Sequence, residues 1–187
     1  ERVWREAVGW KGRIDVVINN AGAYAMGGVD EDFDTWTGVW RRLLQINLVS
    51  AAHLCRQAVL HFRPRGGGII VNIASRAALG KALRTNYSAS KAALIGLTRT
   101  WSLELAPDGI TVNCICPGPI ATELYTKANP PDSPRTIASL ATIPAGRIGT
   151  PEDIAQAAAF FLDADSGFIN GQTLYVCGAS SVGRSGV

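Results

Sequence analysis

The chain has 187 residues, 47% of them hydrophobic and 18% charged, and carries a formal net charge of +3. This composition suits a folded chain with one sizeable core and excludes a disordered protein. Its basic residues are scattered (Arg41, Arg42, Arg63, Arg65, Arg84), no apolar run could span a bilayer, and no signal-peptide pattern opens the sequence, so neither nucleic acid nor a membrane is expected as a partner.

Helices and strands alternate. Residues 1–10 read as a helix with Val3, Trp4, Ala7 and Val8 on one side, and residues 14–19 as an apolar strand ending in Asn19, Asn20, Ala21 and Gly22. A polar, glycine-rich stretch at 27–34 leads to a long helix over 37–62. There Leu43, Leu44, Leu48, Ala51, Ala52, Cys55, Val59 and Phe62 recur at helical spacing, and Pro64 with the glycines behind it ends the run. A strand at 68–74 stops at Ser75, and a helix over 86–106 carries Tyr87 and Lys91 and stops at Pro107-Asp108-Gly109. A strand at 111–116 opens onto a long loop, 117–149, whose proline-rich part at 128–134 reads as a mobile substrate lid. Thr150, Pro151, Glu152 and Asp153 make a strong helix start, and that helix feeds a last strand at 173–176. Near-continuous apolar strands alternating with helices predict an α/β fold, a doubly wound parallel sheet covered on both faces, in a single domain over 1–187.

The chemistry concentrates in mid-chain. Tyr87 and Lys91, four residues apart, share a helix face. A lysine cation there is expected to pull the phenol down from about 10 toward neutrality. Such a tyrosine takes a proton from an alcohol or gives one to a carbonyl. Ser75 lies twelve residues upstream at the carboxyl end of a strand, the edge where open α/β sheets bind ligands. Taken singly, each residue has a plain alternative: a surface tyrosine beside a surface lysine, a turn serine at 75, a turn glycine at 22, a solvent-facing helix asparagine at 47.

The remaining candidates are weaker. Cys55 falls in a helical pattern and Cys114, Cys116 and Cys177 in strand patterns, with Cys114 and Cys116 on one strand face. Without further ligands nearby they read as buried free thiols of a reducing cytoplasm, and no metal site is expected. His53 and His61 read as ordinary surface or boundary residues. Ser88-Ala-Ser-Lys91 fits a Ser-x-x-Lys nucleophile motif, but its Ser-Asp-Asn and Lys-Thr-Gly partners do not occur.

In company the motifs are specific. Asn19-Asn20-Ala21-Gly22, Asn47, Ser75 with Tyr87-x-x-x-Lys91, and Pro117-Gly118 followed by Ile120 and Thr122 stand in an order that closely resembles the short-chain dehydrogenase/reductase family in its compact form. The resemblance covers nearly the whole chain. It implies a Rossmann-type sheet and an NAD- or NADP-dependent oxidoreductase interconverting a secondary alcohol and a ketone. By the same resemblance Tyr87 is the general acid/base, Ser75 binds the substrate oxygen, Lys91 tunes the phenol and binds the nicotinamide ribose, and Asn47 interrupts its helix and holds a water that relays protons to Lys91. Asn20, Ala21, Gly22, Tyr87, Lys91, Pro117, Gly118, Ile120 and Thr122 are the expected cofactor-binding residues.

The residues expected on the substrate side (Ala77, Ala78, Leu79, Leu83, Leu124, Tyr125, Ile137, Leu140) are mostly apolar, which points to a small or medium apolar carbonyl compound. Asp108 stands where acyl-carrier reductases of the family often carry a basic docking residue. The family's Thr-Gly-x-x-x-Gly-x-Gly turn is absent, so a longer protein is expected, with roughly two βαβ-sized pieces before Glu1 and the first strands of the sheet within them. Surplus apolar positions on the two long helices suggest a homotetramer. The rival reading is a non-catalytic assembly or binding protein that keeps the fold without cofactor.

Overall fold

The structure, a computed structural model, describes residues 2–130 and 133–182; the side chains of Leu124, Ala128 and Arg135 are not described. Leu124 on the expected substrate side, and residues 131 and 132 of the expected lid, therefore lie outside the described residues.

The strands β1 (Val16–Asn19), β2 (Gly68–Ile73), β3 (Ile110–Pro117) and β4 (Thr173–Val176) form one sheet in the order β1-β2-β3-β4, every pair parallel. Register is fixed by the alternation of side chains. On β2 and β3, Ile70, Val112, Cys114 and Cys116 face one side, where they meet helices α3 (Ser50–Phe62) and α4 (Thr85–Leu105). Val71, Ile73 and Ile115 face the other, under Phe161 of α7 (Pro151–Leu162). Both faces of the central strands are thus covered, as their unbroken apolar runs require. Four parallel strands match the sheet the sequence implies when its first strands are left out. Helix α1 (Arg2–Lys11) packs Trp4 against the α3 side of the core, with its ring edge-on to His61 at 5.7 Å.

Local chemistry sets the helix ends. Asp32 caps α2 (Phe33–Leu44) by accepting the N–H groups of Asp34 and Thr35, so this helix begins before the expected residue 37. Thr150 and Asp153 form a reciprocal capping box at the start of α7, with Pro151 in the first turn, as the sequence predicts. Helix α4 ends through a short turn at Gly109, whose left-handed φ of 70° lets it approach the Gly66 backbone beside the entry to β2.

Two features differ from expectation. Residues 117–149 are not simply a loop: they contain α5 (Glu123–Ala128) and α6 (Pro134–Leu140), capped by the Thr122 and Ser133 hydroxyls. The second is one of form: the helix read over 37–62 is α2 and α3 joined by a π-helical turn, Gln45–Val49, with Asn47 in it, which is the interruption at Asn47 that the family resemblance implies. Among the described residues no helix is long and apolar enough to cross a membrane.

Candidate active site

The carboxyl edge of the sheet gathers the expected residues. Asn20, Ala21 and Gly22 leave β1 as an exposed segment without regular structure. Ser75 follows β2, and Pro117 and Gly118 close β3, where the Gly118 N–H donates to the Val176 carbonyl at 2.9 Å. Helix α4 crosses this edge and brings Tyr87 and Lys91 to it.

Asn47 is buried, so it is not a solvent-facing helix asparagine. Its carbonyl oxygen accepts the Ala23 N–H at 2.8 Å, and its amide donates to the Ala23 carbonyl and the Ser90 hydroxyl, each at 3.0 Å. The π turn widens the helix at one point, which is where such turns supply side chains to functional sites. Asn47 thereby pins the segment after β1 to α4. Ser90, which sequence reasoning did not single out, completes the clamp by donating to the Tyr87 carbonyl at 2.7 Å. Its signal was present: it stands between Tyr87 and Lys91 in their motif.

Lys91 is 4% exposed and donates from Nζ to the Ile73 carbonyl at 2.8 Å. Burial pushes it down from 10.5 to about 8. A Cβ on Gly22 would stand 3.3 Å from Lys91 Nζ and 3.4 Å from Asn47 Oδ1, so glycine keeps the strand-end backbone close to the ammonium.

Ser75 accepts the Ala77 N–H at 3.1 Å, and its hydroxyl is near enough to the Tyr87 phenol to favour the phenolate. The expected lowering of Tyr87 by Lys91 is not found. Burial raises the phenol above its ordinary value, opposed by the Ser75 hydroxyl and by the field of Arg84. The cause is geometric: Lys91 Nζ lies 6.0 Å from the Tyr87 ring centroid and reaches toward the strand end instead. Tyr24, also missed from the sequence, packs its ring edge-on against Tyr87 with centroids 5.7 Å apart.

The other expected contacts have structural roles in view. Ile120 bridges to Gly149 in parallel fashion, and the Thr122 hydroxyl accepts the Tyr125 N–H at the start of α5. Ala78 packs into the core, whereas Leu79, Leu83 and Ile137 are exposed. All four cysteines are buried and free, and Cys114 and Cys116 do share one face. His53 is exposed and His61 is partly buried, its Nε2 accepting the Ile14 N–H at 3.2 Å. Ser88 and Lys91 belong to this tyrosine-centred cluster, with no second Ser-x-x-Lys site implied.

A parallel α/β sheet with a serine, a tyrosine and a buried lysine converging on its carboxyl edge defines a Rossmann-type protein of the dehydrogenase class. The chain belongs to the short-chain dehydrogenase/reductase family: a family model described as enoyl-(acyl carrier protein) reductase matches residues 1–179. It is 42% identical over 172 residues to a subunit of a hydroxy(phenyl)methylsuccinyl-CoA dehydrogenase from Thauera aromatica, covering 91% of this chain and 66% of that one. It is 40% identical over 179 residues to 3beta-hydroxysteroid dehydrogenase 2 from Eggerthella lenta, with coverage of 91% and 66%. Among solved structures, a putative NAD(P)-dependent gluconate 5-dehydrogenase from Beutenbergia cavernae, with bound NADP, superposes with a TM-score of 0.87 at 36% identity. That alignment covers 97% of this chain and 71% of the other. The chain spans 66% of the length of these two curated relatives.

Proposed function

We propose that the protein is an NAD(P)-dependent oxidoreductase that interconverts a secondary alcohol and a ketone, with Tyr87 as general acid/base. The observation that carries the reading is the convergence of Ser75, Tyr87 and Lys91 from β2 and α4 at the end of the sheet, clamped to the strand-end segment by Asn47. The nicotinamide supplies or accepts the hydride. Everything else is the chain's own work.

The residues present fit the nicotinamide ribose end of a dinucleotide. Gly22 leaves its backbone open beside Lys91, and the lysine ammonium has three donors, one of them engaged by Ile73. The other two suit the vicinal hydroxyls of a ribose. Asn20, Ala21, Pro117, Gly118, Ile120 and Thr122 line the same edge and are the proposed remaining contacts. In reduction, Ser75 would orient the carbonyl oxygen and Tyr87 would give it a proton; in oxidation, Tyr87 would take that proton back from the alcohol. A phenol kept protonated by burial suits the acid role at neutral pH.

We further propose one domain, a homotetramer paired through the long helices, and a reducing cytoplasmic setting, which the four free buried thiols suit. The test of the central reading is nicotinamide absorbance during reduction of a ketone panel with each cofactor. The expected result is cofactor-dependent turnover that Lys91→Ala depresses through both cofactor affinity and rate. Tight cofactor-free behaviour, with no turnover in either direction, would favour an assembly role instead.

A further inference from the structure

Arg84 lies three residues before Tyr87, at the mouth of this site. It is partly buried, and its guanidinium carbon sits 4.5 Å from the centroid of the Tyr24 ring. Tyr24 in turn meets Tyr87 edge-on at 5.7 Å. The three side chains are one contiguous stack: cation, aromatic ring, proposed acid/base. The residue before Arg84, Leu83, holds a left-handed φ of 62°, an unusual conformation for a branched side chain, and Arg84 itself lies outside the helical region at φ −137° and ψ 36°. The backbone is bent at the point where the cation is presented.

Among the described residues the ion pairs use Arg2, Arg13, Arg63, Lys127 and Arg147; Arg84 pairs with no carboxylate. A partly desolvated guanidinium without a counterion is electrostatically incomplete. The contact with the Tyr24 ring holds the guanidinium in place, and no hydrogen bond from its N–H groups is seen to a side chain or backbone of the described residues, so they are available to grip a carboxylate with two parallel hydrogen bonds.

We propose that Arg84, held by Tyr24, is the seat for a carboxylate carried by the substrate, so that the substrate class is short keto acids and the corresponding hydroxy acids. This rests on the reading of Tyr87 as acid/base. The carbonyl sits against Tyr87 and Ser75, and the carboxylate, a few bonds away, reaches across Tyr24 to Arg84. The stack gives the site a direction, with the reacting carbon at one end and the charge at the other. The assignment revises the apolar substrate expected from Leu79 and Leu83, because those two side chains are largely exposed whereas Arg84 contacts the stack. The field of Arg84 at the Tyr87 phenol is consistent with that proximity.

The test compares kcat/KM of the full chain for 2-, 3- and 4-keto acids with that for their methyl esters, in wild type, Arg84→Gln and Arg84→Lys. The expected result is that wild type prefers at least one acid over its ester by about tenfold or more, mainly through KM. In Arg84→Gln the acid-over-ester ratio should fall toward one; in Arg84→Lys a preference should remain. Wild type that turns over esters as well as acids throughout, or Arg84→Gln that keeps the acid preference, overturns the carboxylate seat and leaves the dehydrogenase reading standing. If wild type turns over neither class, that reading fails, and ligand-observed NMR with the same acids and esters decides the seat. Acid-selective binding lost in Arg84→Gln supports it; equal binding of acids and esters refutes it.

Discussion

Lys91→Met should stabilise the folded protein while disabling the site. The ammonium is almost fully buried and is depressed from 10.5 to about 8, so the folded state resists its charge. The sign follows from linkage: the unfolded chain holds the proton more tightly, so the penalty is complete below about pH 8 and is lost as pH rises toward 10.5. A shift of that size corresponds to roughly 3 kcal/mol at neutral pH. The methionine variant removes the penalty and keeps most of the volume, but it also deprives the Ile73 carbonyl of its 2.8 Å donor. That loss takes back about 1–2 kcal/mol, leaving a net gain of about 1–2 kcal/mol at pH 7. Urea unfolding of wild type and Lys91→Met between pH 7 and 9.5 reads both predictions. The variant should be the more stable at pH 7, and its advantage should shrink by roughly 2 kcal/mol by pH 9.5, as the wild-type penalty relaxes. Tyr87 and Cys55, raised by burial, titrate in the opposite sense at alkaline pH, but Lys91 is not among the groups that shift them, so they cancel in the difference. A variant less stable than wild type at every pH, or a difference that does not change with pH, would refute the claim that Lys91 is a buried cation kept for function.

Asn47→Ala removes three hydrogen bonds and leaves the Ala23 N–H without its acceptor, so a loss of about 2–4 kcal/mol is expected in the same unfolding assay, with cofactor affinity falling alongside. An Asn47→Ala protein as stable as wild type would show that the clamp is not made. Gly68→Ala should destabilise by about 1–3 kcal/mol or more, because its Cβ would overlap the Phe62 ring, itself fully buried between α3 and the sheet. A thermal midpoint unchanged from wild type would place that ring elsewhere.

Most of the sheet was legible because its signal is local. Apolar runs ending at Asn19, Ile73 and Pro117 mark strands whichever way the chain turns afterwards. The capping residues Thr150 and Asp153 fixed the start of α7 for the same reason. Helices α5 and α6 escaped because each is short and carries no repeated apolar stripe, although Thr122 and the Ser133-Pro134 pair are ordinary helix starts and a structureless stretch of that length is itself suspect. The π turn at Asn47 leaves no mark in periodicity, since the apolar face continues through it.

At the site, spacing identified which side chains share a face but not how deeply they lie. Four-residue spacing correctly put Tyr87 and Lys91 together on α4, yet the phenol is governed first by burial, a property of the packed sheet rather than of the helix. Tyr24 and Arg84 were invisible as a pair because they are distant in sequence and are joined only when the segment after β1 meets the start of α4. Reading Arg84 as one of several scattered surface cations was the natural result.

Tyr87→Phe tests the account most directly, with cofactor affinity and turnover measured on the same preparation. The substitution deletes only the hydroxyl proposed to exchange the proton, leaving Lys91 and the strand-end segment in place. The expected result is a turnover lowered by about a hundredfold or more, with the dissociation constant for NADH or NADPH nearly unchanged. A phenylalanine variant that keeps most of the wild-type rate would contradict the assignment of Tyr87 as the acid/base.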